Sequence, residues 1–165
     1  MDIRRSGYVL LALAYALAVY GHNAFSMDGG TFASILGTLA LVAAFWWPTI
    51  GLAGAAVASA WLATVYATTD GLSPLTATAM FVIAACFAVL AVPRLRNHTR
   101  LALSAAGLAF VANLWYVWNN VIVAWTPEFA FVNIALGLGF AALAWHAWTT
   151  QSAGQAAAPP GAEST

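Results

Sequence analysis

The sequence predicts an all-α integral membrane protein with six transmembrane helices in three hairpins, embedded in the cell membrane. Of its 165 residues, 63% are hydrophobic and 6% are charged, so too few charges remain to cover a water-facing surface. Six successive apolar stretches are each long enough to cross the hydrocarbon core as a helix. The lipid bilayer is therefore the first expected partner of this chain.

The charged residues predict the orientation of these helices. The chain has no lysine, and its basic residues lie before the first helix or in one short later loop: Arg4, Arg5, Arg94, Arg96 and Arg100. Asp28, Asp70 and Glu128 occupy the loops on the other side of the predicted bundle. Because basic residues stay in the cytoplasm when a membrane protein inserts, we expect both the N-terminus and the C-terminus to be cytoplasmic.

Proline, glycine and aspartate mark the ends of the predicted helices. The expected spans are 7–25, 31–47, 49–68, 74–92, 100–125 and 129–148. Pro48 is expected to end the second span, since one helix over 31–68 would far exceed the bilayer thickness. The start of the chain has the basic-then-apolar order of a signal peptide, which we interpret as a retained first helix. Residues 1–150 then form the transmembrane domain, and 151–165 form a disordered cytoplasmic tail rich in Gly, Ala, Pro and Ser.

Composition argues against several functions. The formal net charge is zero, so the chain has no basic surplus for binding nucleic acid. The single cysteine, Cys86, lies in an apolar stretch and offers neither a disulfide nor a cysteine metal cluster. The outer-loop acids Asp28, Asp70 and Glu128 could converge on a divalent cation beside His22. Their spacing lacks a metal signature, however, and we expect solvated acids and no metal site. No residue has the partners of a catalytic group, so we expect no enzyme, and the identity of any cofactor is unknown from the sequence.

Small residues recur at every fourth position of the third predicted helix. They are Gly51, Ala55, Ser59 and Ala63, and Gly137 belongs to a similar stripe on the sixth helix. In lipid, such stripes let two helix backbones approach and pack by van der Waals contact. We expect them to pack helices within the chain. The alternative is docking onto another subunit, either a second copy in a homo-oligomer or a different membrane protein.

Polar side chains cluster in the outer half of the fifth predicted helix and at matching depths of its neighbours. Asn113, Tyr116 and Asn120 share one helix face. His22 and Asn133 reach a similar depth on the first and sixth helices. One interpretation is an outward-facing, ligand-binding pocket for a small neutral or aromatic solute, because these five residues carry no fixed charge. The other interpretation is hydrogen bonding between helices, since amides in hydrocarbon are costly unless paired.

These patterns leave three functional hypotheses. The first is binding or translocation of a small solute through that pocket, either by an oligomer of this chain alone or with a separate partner that supplies energy. No acidic or basic residue lies in a helix core, where proton-driven pumps keep them, so a self-sufficient proton-coupled pump is disfavoured. The second is an accessory, non-catalytic subunit of a larger membrane complex that holds lipid, quinone or pigment. The third is a stress-related membrane protein of three hairpins.

The predicted six-helix topology, with both ends inside, is similar to that of the substrate-binding subunits of energy-coupling-factor vitamin transporters. This resemblance covers helix number and topology. It implies an outward-facing pocket and docking onto a partner through small residues of the first helix, such as Ala12 with Ala16 or Ala14 with Ala18. The three hairpins also look like those of acid-resistance membrane proteins with paired-helix repeats, which implies the stress-related function.

Overall fold

The computed structural model of the chain describes residues 2–24, 26–69, 73–118 and 129–156. All secondary structure in these residues is helical, which confirms the predicted all-α class. The helices are α1 Ile3–Ala24, α2 Asp28–Ala43, α3 Pro48–Thr68, α4 Pro74–Ala91, α5 Pro93–Asn97, α6 Thr99–Val117 and α7 Ala130–Ala156.

Four of the described helices, α3, α4, α6 and α7, are long and apolar enough to cross a membrane. The chain is therefore compatible with an all-α, multi-pass membrane protein. The helix α2 is apolar but has 16 residues, which is short of the about 20 that a full crossing needs. The helix α1 has 22 residues, and Arg4 and Arg5 in its first turn together with His22 and Asn23 near its end make it less apolar than the four.

Both α1 and α2 begin earlier than the sequence predicts. The Asp2 carboxylate accepts a hydrogen bond from the Arg4 backbone N–H at 3.1 Å, so it satisfies a donor at the start of α1. Asp28 lies in the first turn of α2 rather than in the preceding loop. A negative side chain is favourable there because the helix dipole places positive charge at the N-terminus.

The basic loop and the end of the chain are also more helical than predicted. The loop contains the short helix α5, which begins at Pro93, a residue suited to the first helical position. The last helix, α7, continues to Ala156, into the segment predicted to be a tail. The rest of that segment, 157–165, lies outside the described residues.

Among the described residues, the helices α1, α2, α3, α4, α6 and α7 form a closed ring in that order, with α7 packing back against α1. The short helix α5 contacts α4 and α6. Short connections make successive helices antiparallel. The arginines therefore gather at one end of the ring, at the start of α1, in α5 and at the start of α6, and we call this the basic end. We call the other end, where α1 finishes and α2 begins, the opposite end.

Side chains from facing helices fill the interior of the ring. Leu11 of α1, Phe87 of α4 and Phe140 of α7 are fully buried. The centroids of the Phe87 and Phe140 rings lie 5.4 Å apart, although α4 and α7 are not neighbours in the ring. Large apolar side chains also cover the outside, where Ile50 and Phe131 each expose 69% of their surface. Helices that are apolar on all faces are suited to lipid.

The small-residue stripe of α3 faces the inside of this chain. Ala55, Ser59 and Ala63 are fully buried. A Cβ atom added at Gly51 would lie 2.3 Å from the backbone nitrogen of Ala44, so α2 and α3 meet there through their backbones. The stripe therefore packs α3 against its neighbours in the ring and leaves little of its surface for another subunit.

Replacement of Gly51 by leucine is expected to destabilise the protein by about 3 kcal/mol, because a side chain there collides with the α2 backbone. Gly107 on α6 provides the matched control, since a Cβ atom at that position meets nothing within 4 Å. Thermal unfolding of Gly51→Leu and Gly107→Leu in the same detergent measures the difference. An equal loss of stability in both variants would contradict the close α2–α3 contact.

Candidate functional site

A buried imidazole lies inside the ring near the opposite end. His22 of α1 has no exposed surface, and both of its ring nitrogens have hydrogen-bond partners. Its Nδ1 atom lies 2.9 Å from Ser34 Oγ of α2, and its Nε2 atom lies 2.7 Å from the Tyr66 hydroxyl of α3. A neutral imidazole donates from one nitrogen and accepts at the other. His22 therefore links three helices through one polar group.

The hydrogen bonds continue from Tyr66 to α6. The hydroxyls of Tyr66 and Tyr116 lie 2.9 Å apart, and their rings stack with centroids 6.1 Å apart. Ser34, His22, Tyr66 and Tyr116 thus form a continuous set of hydrogen-bonded side chains on four helices, which we call the polar chain. Because α3 and α6 are not neighbours in the ring, the polar chain crosses the interior.

The polar chain has two consistent arrangements of its protons. If Tyr66 donates to His22 Nε2, then Nδ1 carries the proton and donates to Ser34, and Tyr116 donates to Tyr66. If Nε2 carries the proton, it donates to the Tyr66 hydroxyl, Tyr66 donates to Tyr116, and Ser34 donates to Nδ1. The Tyr116 O–H is then left to donate to another group. The polar chain can therefore offer either a donor or an acceptor at Tyr116.

Close packing around His22 depends on a glycine. A Cβ atom added at Gly30 of α2 would lie 2.9 Å from His22 Cγ, so any other residue there would push the imidazole away. On another side, the Phe129 ring lies 5.5 Å from the imidazole, centroid to centroid. In the sequence, Gly30 looks like part of a turn. In the fold it is a helical residue that makes room for His22.

A second pair of polar side chains lies deeper in the ring. The Tyr15 hydroxyl of α1 hydrogen-bonds to Ser59 Oγ of α3, and Ser59 in turn donates to the Ala55 carbonyl oxygen at 2.7 Å. Sequence reasoning placed Ser59 in the packing stripe but did not identify Tyr15, Tyr66 or Ser34. The spacing of Tyr15 and His22 carries a usable signal, because residues seven apart lie on one face of a helix.

Asn113 of α6 and Asn133 of α7 form a separate pair. Asn113 Nδ2 donates to the Asn133 backbone carbonyl at 3.1 Å, which fastens the two helices together. Asn133 Nδ2 donates to the Phe129 carbonyl at 2.7 Å. The side-chain oxygens of both asparagines are buried and have no hydrogen-bond partner among the described residues. A Cβ atom at Gly137 would lie 3.1 Å from Asn113 Nδ2, so the small residue leaves room for the amide.

The structure brings part of the predicted pocket together. His22 and Tyr116 are joined through Tyr66, and Asn113 lies one helix turn from Tyr116 on the same face of α6. Asn120 lies outside the described residues. A void of about 10 Å³, roughly the room that one water molecule needs, lies beside Tyr116, but His22, Asn113 and Asn133 do not line it.

The structure describes one of the three acidic residues that the sequence places in the outer loops. Asp28 is a helical residue in the first turn of α2, whereas Asp70 and Glu128 lie outside the described residues. Within the described part of the chain, no group of His, Cys, Asp and Glu side chains is arranged to hold a metal ion.

No protein-family model, curated protein or solved structure matches this chain. Its own residues are therefore the only guide to its function. Three features are available for that purpose: the polar chain, the Asn113–Asn133 pair, and the cavity and charges at the basic end.

Proposed function

We propose that the protein is a six-span protein of the cell membrane that binds or translocates a small neutral or aromatic solute near the opposite end of its helix ring. The observation that supports this proposal is the pair of buried amide oxygens, Asn113 Oδ1 and Asn133 Oδ1, that lack donors. A buried acceptor without a donor costs about 1–3 kcal/mol. A solute that carries N–H or O–H groups would remove that cost on binding.

The neighbouring groups suit a neutral solute. Tyr116 can donate or accept, depending on the direction of the protons in the polar chain. The Asn113 and Asn133 oxygens accept, and none of these three side chains carries a charge. A strong anion or cation would find no counter-charge there, whereas an amide, alcohol or aromatic N–H compound would find both hydrogen-bond partners and ring contacts.

Binding would require α6 and α7 to separate. The void beside Tyr116 measures about 10 Å³ and admits no solute as it stands. The hydrogen bond from Asn113 to the Asn133 backbone joins the two helices, so the solute would replace that bond with bonds of its own. The hydrogen bonds of the solute would keep these polar groups paired after the helices separate.

The distribution of charge supports an orientation with both termini in the cytoplasm. The basic end contains Arg4, Arg5, Arg94, Arg96 and Arg100, and these are all of the basic residues apart from histidine. Positive side chains remain on the cytoplasmic side of membrane proteins. In this proposal the opposite end, with the polar chain and the asparagine pair, faces the outside of the cell.

Single cysteines test this orientation in a Cys86→Ser background. Asn23→Cys at the end of α1 and Asn97→Cys in α5 are a matched pair, since both asparagines are exposed at different ends of the ring. A membrane-impermeant maleimide should label Asn23→Cys on intact cells and should label Asn97→Cys only after permeabilisation. The reverse pattern would contradict the orientation.

A second candidate function is an accessory subunit that holds lipid, quinone or pigment. A groove of about 390 Å³ runs along α6 and α7 and is lined by apolar side chains, among them Phe110, Trp145 and Trp148. Gly107 lines this groove, and a Cβ atom added at that position would meet nothing within 4 Å. Of the small residues of α1 that the vitamin-transporter resemblance implies for docking, Ala12, Ala14 and Ala18 are buried and Ala16 is exposed, so this groove offers a partner a larger surface than they do.

Replacement of Asn113 by leucine separates the two candidates. We expect native mass spectrometry of the protein, extracted gently from its own membrane, to detect a small bound solute that Asn113→Leu removes by deleting one acceptor and the Asn133 contact. Thr64→Leu is the control, because Thr64 is exposed on α3 and lines neither the solute site nor the cavity at the basic end. A stable partner protein with no solute in any variant would contradict solute binding and support the accessory subunit.

A further inference from the structure

A cavity opens at the basic end of the ring, far from the polar chain. Its volume is about 280 Å³, and residues of α1, α3, α4, α5, α6 and α7 line it. The polar lining includes Arg4, Arg96, Thr99 and His146, while Leu90 belongs to its apolar part. The cavity is large enough for a polar head group with a few carbon atoms.

The two arginines of the cavity are incompletely neutralised. Arg96 donates to the Leu90 carbonyl at 3.3 Å and approaches Thr49 Oγ1 at 3.5 Å, and among the described residues no carboxylate pairs with it. Arg4 Nη2 lies 3.7 Å from a carboxylate oxygen of Asp2, but its Nε atom is buried and finds no hydrogen-bond partner in the part of the chain that the structure describes. Guanidinium groups with unused donors bind phosphate and carboxylate oxygens well.

A helix N-terminus adds to this positive potential. The helix α6 begins at Thr99, which lines the cavity, and no side chain caps its N-terminus. The first backbone N–H groups of a helix have no partner within the helix, and the helix dipole places positive charge there. Arginine side chains and an uncapped helix N-terminus around one cavity are a typical arrangement for binding phosphate.

The remaining lining explains why the ligand should carry carbon as well as phosphate. Leu52 of α3, Leu90 of α4 and Leu143 of α7 form apolar walls, and Tyr8 of α1 lies among them. A free inorganic anion would leave these walls unfilled. A phosphate with an attached organic group would cover them and place its charge between the arginines.

We propose that this cavity binds the phosphate group of an organic phosphate, supplied either by an anionic phospholipid of the adjoining leaflet or by a soluble phosphate ester. Asp2 is the internal competitor of that ligand, because its carboxylate lies 3.7 Å from Arg4 and 3.9 Å from His146 Nδ1. Basic pockets between helices at the cytoplasmic surface bind anionic head groups by the same chemistry. The site is independent of the solute site proposed above.

Two probes distinguish the two sources of phosphate. Native mass spectrometry in an uncharged detergent counts retained phosphatidylglycerol, with phosphatidylcholine as the zwitterionic comparison. Isothermal titration calorimetry with phenyl phosphate measures the soluble ester. The test variant is Arg4→Gln/Arg96→Gln, and the matched control is Arg5→Gln/Arg94→Gln, which removes the same charge from residues that do not line the cavity.

Loss of the two cavity arginines should weaken binding of the recognised probe by about tenfold or more, since hydrogen bonds to charged groups are the strong ones. The control should bind like the unmodified protein, and Asp2→Asn should bind more tightly because it removes the competing carboxylate. Selective retention of phosphatidylglycerol identifies a lipid, and selective binding of phenyl phosphate identifies a soluble ester.

Two results would overturn the proposal. An equal loss of binding in the test and control variants would mean that net positive charge, not this cavity, attracts the probe. Absence of binding for both probes to the unmodified protein would mean that the cavity recognises no phosphate. Thermal unfolding of all variants shows whether each is folded. If the Arg4→Gln/Arg96→Gln variant is unstable, Asp2→Asn still tests the site, because an unchanged affinity in Asp2→Asn also contradicts the proposal.

Discussion

Polar side chains inside a membrane bundle must find their partners within the protein, and the interior of this helix ring is organised around that constraint. His22 uses both ring nitrogens, and the hydrogen bonds pass through Tyr66 to Tyr116. These contacts join α2, α1, α3 and α6, of which α3 and α6 are not neighbours. Apolar packing alone specifies position weakly in lipid, because lipid tails compete for the same surface. The directional hydrogen bonds therefore determine which faces of the helices point inward, and Gly30 is required because the imidazole fills the space beside it.

The two ends of the ring differ in the ligands that their chemistry favours. Near the opposite end, Asn113, Asn133 and Tyr116 offer hydrogen bonds without charge, and two acceptors remain unused. At the basic end, Arg4 and Arg96 line a cavity and face little negative charge beyond Asp2. A neutral solute at one end and an organic phosphate at the other are separate proposals. Together they describe a membrane protein that holds small molecules, with the filled interior of the ring between the two sites.

The helices were largely predictable, while their contacts were not. Apolar stretches bounded by Pro48 and Pro74 indicate α3 and α4 because proline at the first helical position is a strong local signal. The helix rise per residue also indicated that His22 lies at a depth similar to that of the polar cluster around Tyr116. The sequence could not identify Tyr66 as the residue between them, because that contact depends on how α3 and α6 rotate within the ring. Likewise, the Asp2 cap and the short helix α5 depend on local hydrogen bonds that hydropathy does not record.

A double-mutant cycle on Tyr66→Phe and Tyr116→Phe tests the polar chain most directly, with stability measured by unfolding in detergent. The two hydroxyls share one hydrogen bond, so the account predicts that the double variant is more stable than the sum of the single losses implies, by about 1 kcal/mol. Tyr20→Phe is the control, because the Tyr20 side chain is 73% exposed and should change stability little. Additive losses from Tyr66→Phe and Tyr116→Phe, with no coupling, would contradict the claim that a continuous polar chain links α3 to α6.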